Sequence, residues 1–80
     1  HGVGFKLHEE PPVPNYVSFG VNYKLKVGMV LAIEPMLVEG TYDSVVASNG
    51  WTILTADNKN AAHFERSIVI TDNGPKILGE

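Results

Sequence analysis

The sequence predicts a mostly β chain built from antiparallel strands. Three observations carry that prediction. Short runs rich in Val, Ile, Leu and Thr recur along the chain, turn-forming clusters of Asn, Asp, Gly and Pro separate them, and apolar residues nowhere repeat at helical spacing.

Taken in order, residues 1–8 alternate small or polar with apolar side chains and predict a short strand. Residues 9–14 hold Pro11, Pro12 and Pro14, which rule out regular helix and remove ladder donors, so this stretch is an ordered loop or an extended edge. Residues 15–22 continue as loop, with a turn at Gly20. Residues 29–38 give the strongest strand signal, apolar on both faces apart from Glu34, as in a strand covered on both sides. Pro35 must then sit at an edge or bulge, where no ladder donor is needed. Residues 42–47 add a short strand. Residues 51–55 and 62–71 are strands expected to pair as a hairpin across the turn at Asp57-Asn58-Lys59-Asn60. Asp72-Asn73-Gly74-Pro75 makes a further turn, and residues 76–78 a closing strand.

Composition narrows the function classes. The chain has 80 residues, no cysteine and a formal charge of −3. A chain of this size yields roughly 3–5 kcal/mol of stability without a staple, and no disulfide can serve as one. The basic residues form no cluster, which argues against nucleic acid as the main partner. No apolar run is long enough to span a bilayer. Absence of cysteine is compatible with the cytoplasm. The opening His in a glycine-rich stretch reads as a segment of a longer protein.

Several residues point to chemistry. Glu34 is a carboxylate inside an apolar run, costly to bury unless it is paired or binds a metal; an edge position facing solvent, or a salt bridge to Lys, also accounts for it. Glu65 repeats the pattern, and with period 2 it shares a face with His63 and Ser67, opposite Phe64 and Arg66. This is either part of a metal or acid–base site or a partly exposed face. His1 precedes Gly2-Val3-Gly4, whose small residues permit close approach. His8 is followed by Glu9 and Glu10, to which it can simply hydrogen-bond. The spacings match no zinc finger, HExxH motif or nucleophile elbow. One imidazole and two carboxylates suit Mn, Fe, Co or Zn.

These residues also carry a resemblance. His1-Gly2-Val3-Gly4 with Leu7-His8-Glu9-Glu10-Pro11 and Pro14-Asn15-Tyr16, then Gly28-Met29 and Ile33-Glu34-Pro35-Met36, then Trp51-Thr52, Ala62-His63-Phe64-Glu65 and Ile70-Thr71-Asp72-Asn73-Gly74-Pro75, run end to end in the order found in type I methionine aminopeptidases. The chain resembles the carboxy-terminal part of that family. The resemblance implies the α+β pita-bread fold, in which two related halves enclose a dinuclear metal site. Residues 1–80 would be an incomplete part of its single catalytic domain, with most helices upstream. It implies His1, Glu34 and Glu65 as three of five metal ligands. The other two are aspartates that this chain lacks.

The implied chemistry is removal of the initiator methionine from nascent polypeptides, using two divalent ions (Co, Mn, Fe or Zn) that acidify water and polarise the scissile carbonyl. Glu34 is then the proton acceptor, and His8 binds substrate and steadies the developing oxyanion. Trp51 walls the methionine pocket together with Leu7, which stands where an aromatic is common. His63, where Gln is usual, supports the ligands from behind. Val27 replaces the usual Pro, and Arg66 a common His. The family setting implies a cytoplasmic protein, monomeric when complete, with room for ribosome association and no membrane partner. The segment alone is expected to be inactive and to bind at most one metal weakly. Two alternatives remain: an X-Pro aminopeptidase or dipeptidase of the same fold, and a non-catalytic pita-bread protein that binds partners.

Overall fold

The computed structural model describes residues 1–20 and 22–79; Val21, inside the expected loop 15–22, and Glu80 lie outside the described residues. Among the described residues seven strands follow one another: β1 (Val30–Ile33), β2 (Met36–Val38), β3 (Ser44–Val46), β4 (Ile53–Thr55), β5 (Ala61–His63), β6 (Arg66–Thr71) and β7 (Gly74–Ile77). All pairings are antiparallel, in the orders β1-β6-β7, β2-β5 and β3-β4. The described residues include no helix, so none is long and apolar enough to cross a membrane.

The two long strands expected at residues 29–38 and 62–71 are both interrupted, and at the same level. β1 pairs with β6 from Val30↔Val69 to Ile33↔Arg66, and β2 with β5 from Met36↔His63 to Val38↔Ala61. The register keeps step across the gap, so Glu34 stands opposite Glu65 and Pro35 opposite Phe64. Proline explains the gap. Pro35 has no N–H to give the ladder, although its carbonyl still accepts from Phe64 N at 3.4 Å. The expectation that Pro35 lies where no donor is needed holds. Glu34, expected within a strand, lies just beyond one.

The expected hairpin between residues 51–55 and 62–71 does not form. β4 pairs instead with β3, from Ser44↔Thr55 to Val46↔Ile53. The cause is local. Asn49 Oδ1 accepts from Trp51 N at 3.0 Å and Thr52 N at 2.9 Å, and its Nδ2 donates to Thr52 Oγ1 at 2.7 Å. Gly50 supplies the positive φ of 72° that closes the turn. This leaves β5 for β2, and β6 for β1 and β7.

Residues 1–8 do not form the expected strand. Gly2 alone makes bridges, one to Leu31 and one to Glu9, and residues 4–8 are bends. Gly74 and Pro75, expected in a turn, belong to edge strand β7, where Pro is tolerated. Leu31 and Ala32, at 1% and 3% exposure, are the buried hydrophobic residues among those described, with Gly2 and Pro11 buried near them in sequence or pairing. β1 is therefore covered on both faces as expected. The continuation of that run in β2 is exposed throughout.

Candidate metal centre

The in-step register decides the chemistry of this ribbon. Residues directly opposite in an antiparallel pair have Cβ atoms about 4.5–5.5 Å apart on the same face, and like charges there are destabilising. Glu34 and Glu65 are such a pair, distant in sequence and brought face to face by β1–β6 on one side and β2–β5 on the other.

The third group comes from the chain start. His1 lies beside β1, where Ala32 N donates to His1 O at 2.8 Å, Val3 N donates to Val30 O at 3.1 Å, and the Gly2–Leu31 bridge lies between them. Its ring thereby reaches Glu34, with Nε2 at 3.4 Å from Oε1. The tautomer follows from the other ring nitrogen. Nδ1 lies 2.8 Å from the Gly2 carbonyl oxygen, which only accepts, so Nδ1 carries the proton. As an imidazolium the ring pairs with Glu34 through Nε2–H; as the neutral ring it turns the Nε2 lone pair toward the carboxylate oxygen, where a cation fits between them.

Donor atoms of His1, Glu34 and Glu65 all lie within 4.8 Å of one another. Nitrogen and oxygen ligands about 2.0–2.2 Å from one ion span up to about 4.4 Å, so a few tenths of an ångström of closure suffice. The Gly2 carbonyl on Nδ1 is also the kind of outer partner that fixes a ligating imidazole. The donor set thus fits a divalent ion. In exposure the site is a surface rather than a pit: the His1 and Glu34 side chains are 19% and 31% exposed, and Glu65 is exposed.

Two further imidazoles surround the trio. His63 Nε2 lies 3.6 Å from Glu34 Oε2, so the carboxylate has one ring at each oxygen. The His8 ring leans on that of His1, with centroids 4.3 Å apart and planes at 47°. A pinched loop holds His8 there: Gly2 N donates to Glu9 O at 2.9 Å, Glu9 N to Gly2 O at 2.8 Å, and Lys6 N to Glu9 Oε1 at 2.7 Å. Arg66 lies on the other face, its guanidinium 4.8 Å above the Phe64 ring.

The structure thus gathers His1, His8, Glu34, Glu65 and His63. Leu7 and Trp51 are instead 76% and 85% exposed. An open concavity of about 600 Å³ beside His8 is lined by Phe5, Lys6, Glu9 and Glu10, not by Leu7. Sequence reasoning did not single out Phe5. Residues 4–8 are bends, so strand alternation could not have assigned its direction.

Elsewhere, Asp57 organises the junction between β2 and β3. The Thr41 backbone N–H, and after it that of Lys59, holds the Asp57 carboxyl below the usual aspartate range. The bonds to Oδ2 and Oδ1 are 2.9 and 3.1 Å. This serves loop geometry and lies outside the trio.

An antiparallel ribbon with an imidazole–dicarboxylate donor set defines a β segment suited to a hard or borderline divalent cation. Comparison with known proteins makes this particular. Residues 1–72 match the profile of metallopeptidase family M24, and the chain belongs to that family. It is 54% identical over 78 residues to a methionine aminopeptidase of Clostridium acetobutylicum, a match covering 98% of this chain and 31% of that protein. It is also 54% identical over 82 residues to one from Aquifex aeolicus, covering 100% and 32%. Among solved structures, the Thermotoga maritima methionine aminopeptidase superposes with a TM-score of 0.93 at 51% identity, over 100% of this chain and 32% of that one. The enzyme from Rickettsia prowazekii gives 0.87 at 38%, over 96% and 32%. The chain spans about a third of the length of these relatives. Its strands are a segment of the pita-bread fold, and the family's metallopeptidase chemistry uses divalent metal.

Proposed function

We propose that residues 1–80 are the carboxy-terminal part of a single pita-bread catalytic domain. The whole domain removes the amino-terminal methionine of nascent polypeptides, and this part supplies His1, Glu34 and Glu65 to a centre of two divalent ions (Co, Mn, Fe or Zn). The facing pair Glu34 and Glu65, with His1 Nε2 3.4 Å from Glu34, is the observation that carries this reading. Relatives named methionine aminopeptidases support the reading of the whole domain's activity.

Bound divalent cations supply acidified water and a polarised carbonyl. The chain's own residues do the rest. Glu34 accepts the proton of the attacking water through one carboxylate oxygen. His63, 3.6 Å from Oε2, steadies that carboxylate. His8 binds the substrate and donates to the oxygen that becomes negative as the carbonyl is attacked, which is where a positioned donor is worth most. Trp51 and Leu7 receive the methionine side chain, and their high exposure leaves them free to be covered by substrate. The protein works in the cytoplasm as a monomer when the domain is complete, on polypeptides emerging from the ribosome.

The test uses a chimera in which this chain replaces the matched third of the Clostridium acetobutylicum enzyme. Glu34→Gln and Glu65→Gln each abolish release of methionine from Met-Gly peptides and lower bound metal measured by elemental analysis. Normal turnover in either variant rejects the assignment.

A further inference from the structure

We propose that Asn73-Gly74 is a site of spontaneous covalent modification: Gly74 N closes on the Asn73 side-chain amide, ammonia leaves, and water reopens the ring to aspartate or isoaspartate. The other Asn-Gly pair of the chain, Asn49-Gly50, is protected from the same reaction by its hydrogen bonds. The inference goes beyond the metal-centre reading and does not depend on it.

The step consumes only water. The Gly74 nitrogen forms a bond to Asn73 Cγ, the Cγ–Nδ2 bond breaks, and the Gly74 amide proton leaves with Nδ2 as ammonia. The product is a cyclic imide. Water then opens either of its carbonyls. The new carboxylate ends on the side chain as aspartate, or the main chain is rerouted through Cγ as isoaspartate. A following glycine favours closure, because it has no Cβ to block the approach. Both pairs meet that condition: outside the adjacent residues, a Cβ at Gly50 or Gly74 would meet nothing within 4 Å. Asn49 and Asn73 are also both exposed. Sequence and access therefore do not separate the two sites.

Hydrogen bonding does separate them. Closure requires the amide to turn until Cγ faces the next backbone nitrogen. At Asn49 that turn breaks the bonds from Trp51 N and Thr52 N to Oδ1, at 3.0 and 2.9 Å, and the bond from Nδ2 to Thr52 Oγ1, at 2.7 Å. The attacking group is tied as well, since Gly50 N donates to Ala47 O at 2.9 Å. The Asn73 side-chain amide has no hydrogen-bond partner among the described residues; its backbone N–H donates to Thr71 Oγ1 at 3.2 Å. Thr71↔Gly74 is the last rung between β6 and the edge strand β7, so fraying of a single rung frees the Gly74 nitrogen. The bonds that make the difference lie within residues 47–52 and 71–74, and the contrast is therefore local to each turn.

The experiment ages the chimera with the Clostridium acetobutylicum enzyme at mildly alkaline pH. Peptides covering each site are followed by mass spectrometry, with isoaspartate resolved by chromatography. Asn73 is expected to convert at least about tenfold faster than Asn49, the scale set by the hydrogen bonds that must open first. In denaturant the two rates should converge, because the turns that distinguish them are gone. Thr52→Val removes the acceptor of Nδ2 and should speed conversion at Asn49 while leaving Asn73 unchanged. Equal rates in the undenatured chimera, or faster conversion at Asn49, overturn the proposal. An Asn49 lag that persists in denaturant, or an Asn49 rate unmoved by Thr52→Val, overturns it too, because the protection then has another source.

Discussion

Adding one methyl group at Gly2 should disorganise the candidate centre. A Cβ built there meets the Glu10 carbonyl oxygen far inside contact distance, with the Glu10 carbonyl carbon at 2.8 Å and Glu9 O at 3.1 Å. All three are backbone atoms, so no side chain can swing away. The segment around residues 9–10 must move, and the reciprocal bonds between Gly2 and Glu9, at 2.9 and 2.8 Å, go with it. Overpacking of this kind costs about 1–3 kcal/mol, and each backbone hydrogen bond adds about 0.5–1.5 kcal/mol. Even the low end, about 2 kcal/mol, is a large part of the roughly 3–5 kcal/mol that a chain of this size commands. The same carbonyl of Gly2 orients His1 through Nδ1, so the strain reaches a metal donor. Gly2→Ala is expected to weaken Mn²⁺ or Co²⁺ binding at least tenfold in titration calorimetry and to speed exchange of the Glu9 amide. If exchange at Glu9 and the metal affinity both stay within twofold of the parent, the reasoning fails.

Other perturbations separate roles. His8→Ala in the chimera should lower kcat for Met-Gly peptides by about 10²-fold or more, the scale of a lost oxyanion donor, while bound metal, measured by elemental analysis, stays at the parent level; loss of metal instead makes His8 a structural partner of His1. The Asp57 carboxyl is depressed by the N–H groups of Thr41 and Lys59, so its contribution to stability is present above the unfolded aspartate value of about 3.9 and is lost as pH falls through the lower folded value. The Thr41 amide resonance should hold steady down to about pH 4 and move below it, and Asp57→Asn should remove that response. A midpoint at the ordinary aspartate value contradicts the assigned bonds.

Glu34 was legible because it interrupts an apolar run, where a carboxylate is costly without a partner, and Glu65 because it stands just before Ile68-Val69-Ile70 on the same strand face as His63. Their meeting was not. It depends on the register between β1–β2 and β5–β6, set by pairings more than twenty residues apart, from Val38↔Ala61 to Val30↔Val69, and no local pattern encodes that. The expected 51–55 with 62–71 hairpin failed for a readable reason. Asn49-Gly50 is the dipeptide that most strongly marks a two-strand turn, and it claims β4 for β3. Pro35 marked an edge or bulge correctly. That the opposite strand would open at the same level, at Phe64-Glu65, follows only once the two are aligned. His8 illustrates a different limit: its place against His1 comes from a loop pinched by Gly2 and Glu9, a contact between non-neighbours inside a segment that reads locally as a strand.

The unpaired step at Glu34-Pro35 and Phe64-Glu65 also maps where the molecule can absorb insertions and deletions. Because the ladder on each side of it is locked in the same alignment, the excursion from Glu39 to Asn60 can grow or shrink between generations without displacing either acid. One residue gained or lost between Val30 and Glu34 has the opposite consequence: it turns Glu34 to the far side of the ribbon, so length variation should collect in the first region and be purged from the second.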